Sequence, residues 1–546
     1  MQEPIYDIAV VGAGPVGLAA ARMLGLAGHS VIVLERWPSL YPLPRAVHFD
    51  HEIGRVFQAM GLRDEIEAIS APVPDHYEWR NRNGDSLVRI DWSGLGPSGW
   101  PVANFFSQPE LEQVLGDAVA AMPEVTVRRG REVVRLVAVP DQDVVLTHTG
   151  ADGATAQTRA RYVIGADGAN SFVREQMSTS MQDLGFYFDW LIVDTIPQDD
   201  LVWSPQNWQL CDPVRPTTIV SGGPGRRRWE FMRLPGESLD DLNRSDTAWR
   251  LMEPWGRTPE NTILERHAVY TFQARWADHW NEGRLFLVGD AAHNMPPFAG
   301  QGMCSGIRDA ANLSWKLDRV LRGQSDPALL DTYTSERLTH IQHAIAMSVE
   351  LGKVICVLDE EAAARRDARM IAGNADPAVV LPISAQPVLG PGVVATGIDL
   401  PGLRGTLSPQ FRAELDGRTA LLDDLVSANT AMLLTTDAQL PETLGEQARA
   451  ELTDLGVRLI VLARFTPASN AVTPITTAAT LIDADDEWHS WFAQFGATAA
   501  LVRADHYIFG AVHDTQAVDG LIFQYSRHLR AQVHPSADLA TQTRSN

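Results

Sequence analysis

Apolar and polar positions along the chain alternate between two periods, and the changes of period mark its elements. Ile5–Val11 (IYDIAVV) is a short β-rich apolar run, followed by a glycine-rich turn and the helix-like stretch LAAARMLGLAG. A second β run, Ser30–Leu34 (SVIVL), ends at Glu35. Arg161–Ile164 (RYVI) and Arg284–Val288 (RLFLV) read as further strands. From about Met303 to Leu321 the apolar residues Met303, Ile307, Ala310, Ala311, Leu317, Val320 and Leu321 fall largely on one helical face. Between 180 and 280 the runs WLIVD, QLCD, TTIVSGG and RRWEFMRL predict an antiparallel sheet that forms one wall of a pocket. Residues 376–400, rich in Pro, Gly and Ala, read as a linker, and 401–546 carries a βαβ pattern ending in a helix. The prediction is a mixed α/β chain. A nucleotide-type α/β domain occupies 1–180 and resumes at 281–375, a sheet domain at 181–280 interrupts it, and a separate domain follows the linker.

Three segments carry chemistry. Gly12-Ala13-Gly14-Pro15-Val16-Gly17 sits between strand and helix, and Glu35 closes the next strand 18 residues after Gly17. Gly12 allows the tight turn, Gly14 lets a pyrophosphate approach the backbone, and Gly17 lets helix and strand pack closely. The helix N-terminus attracts the pyrophosphate, and Glu35 can accept hydrogen bonds from ribose hydroxyls. These features define an adenine-dinucleotide site without choosing between FAD and NAD. A second match, Gly390 to Ala395, follows a proline-rich stretch with no helix pattern behind it, and reads as loop. The other two segments are Gly165-Ala166-Asp167-Gly168-Ala169-Asn170-Ser171, with Arg174 beyond it, and Gly289-Asp290-Ala291-Ala292-His293, with Pro296-Pro297 and Gly300-Gln301-Gly302 behind it. A strand, an Asp, a loop and a helix in that order deliver one carboxylate and one helix N-terminus to the same spot. The carboxylate can bind a polyol hydroxyl, and the dipole can stabilise negative charge on a reduced flavin.

Composition narrows the reading. Acidic residues exceed basic ones by 68 to 45 in 546 residues, a net charge of −23 that repels phosphate backbones and argues against a nucleic-acid partner. Lysine occurs only at Lys316 and Lys353, so chemistry needing a catalytic lysine has two candidates. Cys211, Cys304 and Cys356 form neither a disulfide framework nor a CxxC pair, and no metal is expected. No apolar run is long enough for a membrane span, and the N-terminus lacks the pattern of a signal peptide. A cytoplasmic protein without a membrane partner is the expectation.

GAGPVG, GADGANSFVR and LVGDAAHNMPPFAGQGM, in that order, resemble the three fingerprints of the single-component flavoprotein aromatic hydroxylases, the group typified by para-hydroxybenzoate hydroxylase. The resemblance implies noncovalent FAD, NADH or NADPH as co-substrate, and hydroxylation of a phenolic ring by dioxygen through a flavin C4a-hydroperoxide. That electrophile requires an electron-rich carbon, ortho or para to an existing hydroxyl. By the same resemblance Glu35 binds the adenosine ribose, Arg45 the phosphate and ribityl region, and Gln108 also FAD. Asp167 and Gly168 lie where FAD and the nicotinamide nucleotide meet. Asp290 holds the ribityl chain, Gly300, Gly302 and Met303 cover the pyrimidine edge, and Pro297 lines the oxygen-transfer site. The segments around Cys211–Pro216, Arg228–Met232, Pro235–Glu237 and Tyr270–Arg275 look like the 3-(3-hydroxyphenyl)propionate hydroxylases within this family. His48 and His51 depart from the pattern, where a small residue and an acid are expected. The C-terminal segment is similar to the family's thioredoxin-like domain, and without CxxC it is read as structural or dimer-forming.

Four residues are candidates for handling substrate. His48 follows Arg45 closely and can titrate near neutral pH, which makes it the leading candidate base. Tyr270 and Trp190 lie on the predicted pocket sheet, and Arg215 could pair with a substrate carboxylate. The competing functions are an FAD dehydrogenase or reductase, a flavin-dependent halogenase, which would need an active-site lysine, and a non-catalytic FAD-fold protein. The natural substrate, the preferred nicotinamide and the choice between monomer and homodimer stay open.

Overall fold

A computed structural model describes residues 4–40, 46–139, 142–381, 388–397, 400–465 and 478–530. The chain forms two compact units: Met1–Ala311 with Leu338–Pro387 and Pro409–Phe411, and Asn312–Arg337 with Val388–Ser408 and Arg412–Asn546.

The first unit is built on two eight-stranded sheets. In the first, strands Leu285–Leu287, Thr155–Gly165, Ile5–Val11, Val31–Glu35 and Val125–Arg129 lie side by side and parallel. Ile8 to Val10, Val31 to Val33 and Val163 to Ile164 are fully buried, as a parallel strand covered on both faces requires. Because these strands run the same way, their carboxyl ends share one edge. Val11, Gly165 and Leu287 therefore hand the chain into the three glycine-containing loops at neighbouring points, the place where α/β sheets bind ligands.

The second sheet runs His293–Asn294, Thr262–Ala277, Met181–Pro197, Arg227–Met232, Thr217–Ser221, Asn207–Leu210, His76–Arg80 and Ser86–Asp91. It is antiparallel except where Asn207–Leu210 pairs with His76–Arg80. Its two last strands come from the first 91 residues, well before the segment whose periodicity predicts it. Both faces are buried. On one, Leu191, Val193, Ile219, Trp229 and Phe231 pack with Leu242, Ala248 and Met252 of the following helices. On the other, Trp190, Ile192, Val220 and Met232 face Phe105, Phe298 and Leu351. The period of two thus assigns alternate residues to a packed core and to the side that carries the site.

The second unit holds a seven-stranded sheet. Ala478–Asp483, Arg458–Ala463 and Met432–Thr435 are parallel neighbours, and Ala499–Val502 and Ile508–Val512 continue antiparallel, a thioredoxin-like arrangement. It contains no cysteine, so dithiol chemistry is excluded there. Its interior holds a buried ion cluster. Glu336 accepts from Lys316 Nζ, Arg503 Nη2 and Asn312 Nδ2, each at 2.8 Å, while Asp505 also pairs with Arg503. Among the described residues no single helix is long and apolar enough to cross a membrane.

Candidate active site

The first glycine turn is held rigidly at the sheet edge. Gly12 N–H donates to Leu34 C=O at 2.8 Å and Ala166 N–H to Val11 C=O at 2.8 Å, joining the first motif to the second. Gly12 has φ +106° and its missing Cβ would strike the Ala166 carbonyl, so glycine is required twice over. Helix Pro15–Leu26 begins with Gly14 as N-cap and proline at its first position, and no side chain caps it. Its free N–H groups are left for an anion. A Cβ on Gly14 would meet nothing within 4 Å, whereas one on Gly17 would collide with the Gly12 carbonyl. Glu35 reaches back across the turn, Oε2 accepting from Ala13 N–H at 2.7 Å and Oε1 from Trp37 N–H at 2.8 Å.

The second and third motifs are fastened together by Arg174, which donates to the Ala169 and Ala291 carbonyls, both at 2.8 Å. Asp167 caps the short helix behind it, accepting from Ser171 Oγ at 2.5 Å and Val173 N–H at 3.0 Å, and burial raises its carboxyl above the ordinary value. The third loop rests on Asp309, fully buried, which accepts from Gly289 N–H at 3.1 Å and His293 Nε2 at 2.7 Å. Arg308, one residue earlier, binds Asp50 at 2.5 Å, Glu52 at 2.6 Å and Gln301 at 2.9 Å. The segment containing His48 and His51 is thereby tied to the start of the helix Gly302–Leu321. Sequence reading passed over Asp309 and Arg308, although both fall in the helix that follows the third motif.

A cavity of about 440 Å³ opens between these loops and the second sheet. Its loop side is lined by Gly14, Gln108, Gly168, Asp290, Gly300, Gly302 and Met303. Gln108 is buried there, accepting from Ala46 N–H and donating to Glu112, both at 2.7 Å. Pro297 and Phe298 lie between the loops and the sheet, whose wall presents Ile192, Val220, Phe272, Tyr77, Gln209, Thr218, Arg228, Glu230 and Tyr270.

The structure brings nearly all the expected residues to this cavity or to its supporting turns, with three exceptions and one qualification. Arg45 lies outside the described residues. Trp190 is fully buried beneath Phe298, with ring centroids 5.6 Å apart, and does not line the cavity. Arg215 is away from it, engaged by Glu237 and by the Met232 carbonyl at 2.8 Å. His48 does reach the cavity wall, but its ring stacks on Trp92 at 4.8 Å and its Nδ1 lies 3.5 Å from the Gly300 carbonyl. Its Nε2 is enclosed, with no hydrogen-bond partner among the described residues, and burial holds the imidazole below its ordinary pKa. Gly300, at φ +65°, is shaped around that ring, since a Cβ there would sit 2.7 Å from Nδ1. Tyr270 lines the cavity with its hydroxyl likewise enclosed. On this wall sequence reading also missed an acid, Glu230, within RRWEFMRL, whose neighbours on the strand are aromatic. Neither lysine is available to the site: Lys316 is buried against Glu336, and Lys353 pairs with Glu350 on the surface.

This donor set fits an adenine dinucleotide carrying a flavin. An uncapped helix start faces an open cradle where any Cβ would intrude, and an acid crosses the turn. A second carboxylate, Asp290, and a second helix start, at Gly302, line the same cavity. Comparison with known proteins agrees. The FAD binding domain family matches residues 5–348, and the HcaD C-terminal domain family matches 405–526. The chain belongs to the FAD-binding-domain family of flavoprotein monooxygenases, and it is an FAD-dependent aromatic hydroxylase with a nicotinamide nucleotide as co-substrate.

Among its relatives, a probable NADH-specific resorcinol 4-hydroxylase of Rhodococcus jostii is 36% identical over 97% of this chain and 95% of that protein. A 3-(3-hydroxy-phenyl)propionate/3-hydroxycinnamic acid hydroxylase of Comamonas testosteroni is 32% identical over 96% and 97%. The fold is shared with the flavin-dependent monooxygenase PieE, solved with FAD and substrate, at TM-score 0.77 and 23% identity over 97% of this chain and all of that one. Aklavinone-11 hydroxylase, solved with FAD and aklavinone, gives 0.73 and 24% over 96% of this chain and 99% of that one.

Proposed function

We propose that this enzyme hydroxylates a phenolic ring at a carbon ortho or para to an existing hydroxyl, using NADH and dioxygen. The observation that carries this reading is the continuity of one cavity from the glycine turn and Asp290 to the aromatic wall of the sheet. When bound, FAD supplies the reduced flavin that activates dioxygen. The chain's own residues do the rest. Gly14 and the helix start behind it receive the pyrophosphate, Glu35 the ribose and Asp290 the ribityl hydroxyls. Gly302 and Met303 open a 20-residue helix whose N-terminus favours negative charge beside it. Ile192, Val220, Phe272 and Phe298 keep water from the ring carbon, which protects a reactive oxygen donor from wasteful breakdown.

His48 supports the Gly300 turn in this reading. It is a positioning residue, because its ring stacks on Trp92 and its Nδ1 lies 3.5 Å from the Gly300 carbonyl, while Nε2 is buried without a hydrogen-bond partner among the described residues. NADH rather than NADPH follows the name of the Rhodococcus relative. The test is oxygen uptake by the FAD-loaded protein with NADH and, in turn, resorcinol and 3-(3-hydroxyphenyl)propionate. Faster uptake with one of them, accompanied by a product carrying one more oxygen, supports the reading. NADH oxidation that no phenol accelerates would point to an FAD reductase.

A further inference from the structure

On the cavity face of the second sheet, side chains stand in rows set by strand register. Arg266, Asp194, Arg228 and Val220 are cross-strand neighbours in one row, and Ala268, Ile192, Glu230 and Thr218 in the next. Asp194 is held by Arg228 Nε at 2.6 Å and Nη2 at 3.1 Å, and by Arg266 Nη2 at 2.8 Å. The remaining Arg228 nitrogen, Nη1, lies 3.7 Å from Glu230 Oε1. Two buried guanidinium groups thus face two buried carboxylates. Arg228 is the one cation among the described residues lining the cavity, and its charge is already met. On the other side of Glu230, Thr218 donates to Gln209, and Gln209 donates to the Tyr77 hydroxyl. Tyr77 and Glu230 both line the cavity, so the wall offers a phenolic hydroxyl and a carboxylate.

We propose that Glu230 accepts a hydrogen bond from a substrate hydroxyl and selects by charge, so that the site takes neutral hydroxybenzenes in preference to phenolic carboxylates. This rests on the hydroxylase reading and names its substrate class. With Glu230 ionised, Arg228 and Arg266 balance Asp194 and Glu230. An incoming carboxylate would then be a buried charge without a partner, which is strongly disfavoured. It can enter when Glu230 takes up a proton and yields its place beside Arg228. A neutral hydroxyl needs no such change and is best accepted by the ionised acid. Burial raises the Glu230 carboxyl to about 7; Arg228, the neighbouring Thr218 hydroxyl and Arg266 oppose the rise, and Asp194 adds to it. Tyr77, pushed up by burial, stays protonated throughout, and Tyr270 faces the same space. Below pH 7, therefore, Glu230 is protonated and a carboxylate ligand meets less resistance. Above it, that affinity falls as pH rises, while affinity for a neutral hydroxybenzene holds or increases.

Calorimetric titration of the FAD-loaded enzyme, without NADH, reads this directly. From pH 6 to pH 8, binding of 3-(3-hydroxyphenyl)propionate should weaken roughly tenfold, with proton uptake per ligand rising from near zero to nearly one, and resorcinol should not weaken. In Glu230→Gln the propionate should lose its pH dependence and bind at least tenfold tighter than to wild type at pH 8. Glu230→Asp should keep the wild-type slope. Equal slopes for the two ligands in wild type, or an unchanged propionate slope in Glu230→Gln, would overturn the proposal. If Glu230→Gln fails to load FAD, the two wild-type slopes decide alone. Because no turnover is involved, failure here is separate from failure of the hydroxylase reading, which shows as the absence of oxygenated product from either compound.

Discussion

Gly14 and Gly17 are three residues apart in one motif, yet their substitution by alanine should have different consequences. At Gly14 the backbone sits at φ −75° and ψ 178°, which any residue adopts, and an added Cβ meets no protein atom within 4 Å. The cost to folding is that of replacing glycine by alanine at a helix N-cap, about 0.5–1 kcal/mol. The cost to FAD is larger, because the methyl occupies the approach of the pyrophosphate to the helix N–H groups. Losing two charge-assisted hydrogen bonds there is worth about 3–4 kcal/mol, or a drop of roughly 100- to 1000-fold in affinity. At Gly17 the Cβ lies well inside contact distance of the Gly12 carbonyl, so helix and turn must part. That overpacking costs about 1–3 kcal/mol or more in the apoprotein itself. Urea unfolding of both apoproteins, beside fluorescence titration with FAD, separates the two effects. Gly14→Ala should unfold nearly like wild type and bind FAD poorly, and Gly17→Ala should lose on both measures. Wild-type FAD affinity in Gly14→Ala would refute the placement of the pyrophosphate.

Asp290→Ala removes a carboxylate from the cavity's loop side and should weaken FAD about tenfold or more, measured by the same titration. His48→Ala should lower turnover by a similar factor at every pH, because the Gly300 turn loses its support; recovery at alkaline pH would instead make His48 a base acting on the phenol. Burial also holds the His48 and His51 imidazoles below their ordinary pKa, so both take up protons on unfolding in acid. Stability should be full above about pH 6.5 and decline as pH falls through it, and urea midpoints at pH 7.5 and 5.5 should show a smaller gap in His48→Ala. Glu336→Gln leaves Lys316 and Arg503, both fully buried, short of a carboxylate. It should destabilise the protein by about 3–5 kcal/mol in thermal or urea unfolding, and a loss under 1 kcal/mol would contradict the role given to the cluster.

What could be read from the chain depended on how local the constraint is. Gly12 and Glu35 were legible because a tight turn and an acid at a strand end are demands of backbone geometry within one βαβ unit. Trp190 shows where periodicity stops: it shares a face with Ile192, but depth on that face is set by Phe298, more than 100 residues away. Arg215 reads as available because its partner Glu237 lies 22 residues on, beyond the strands Thr217–Ser221 and Arg227–Met232, and local pattern does not bring the two together. Glu230 escaped notice because Arg227–Met232 is buried on both faces, leaving no polar contrast to mark the side that meets the cavity. Strands His76–Arg80 and Ser86–Asp91 join a sheet made mostly from residues beyond 180, a pairing that no local signal announces.

In the proposed function, one cavity of this chain brings a phenolic ring to a reduced flavin and dioxygen. The most direct test is a reaction of the FAD-loaded protein with resorcinol and NADH under isotopically labelled dioxygen, followed by mass spectrometry of the organic products. The expected product is a trihydroxybenzene carrying one labelled oxygen, formed in proportion to the NADH consumed. NADH consumption that ends wholly in labelled hydrogen peroxide, with resorcinol and other simple phenols recovered unchanged, would contradict it.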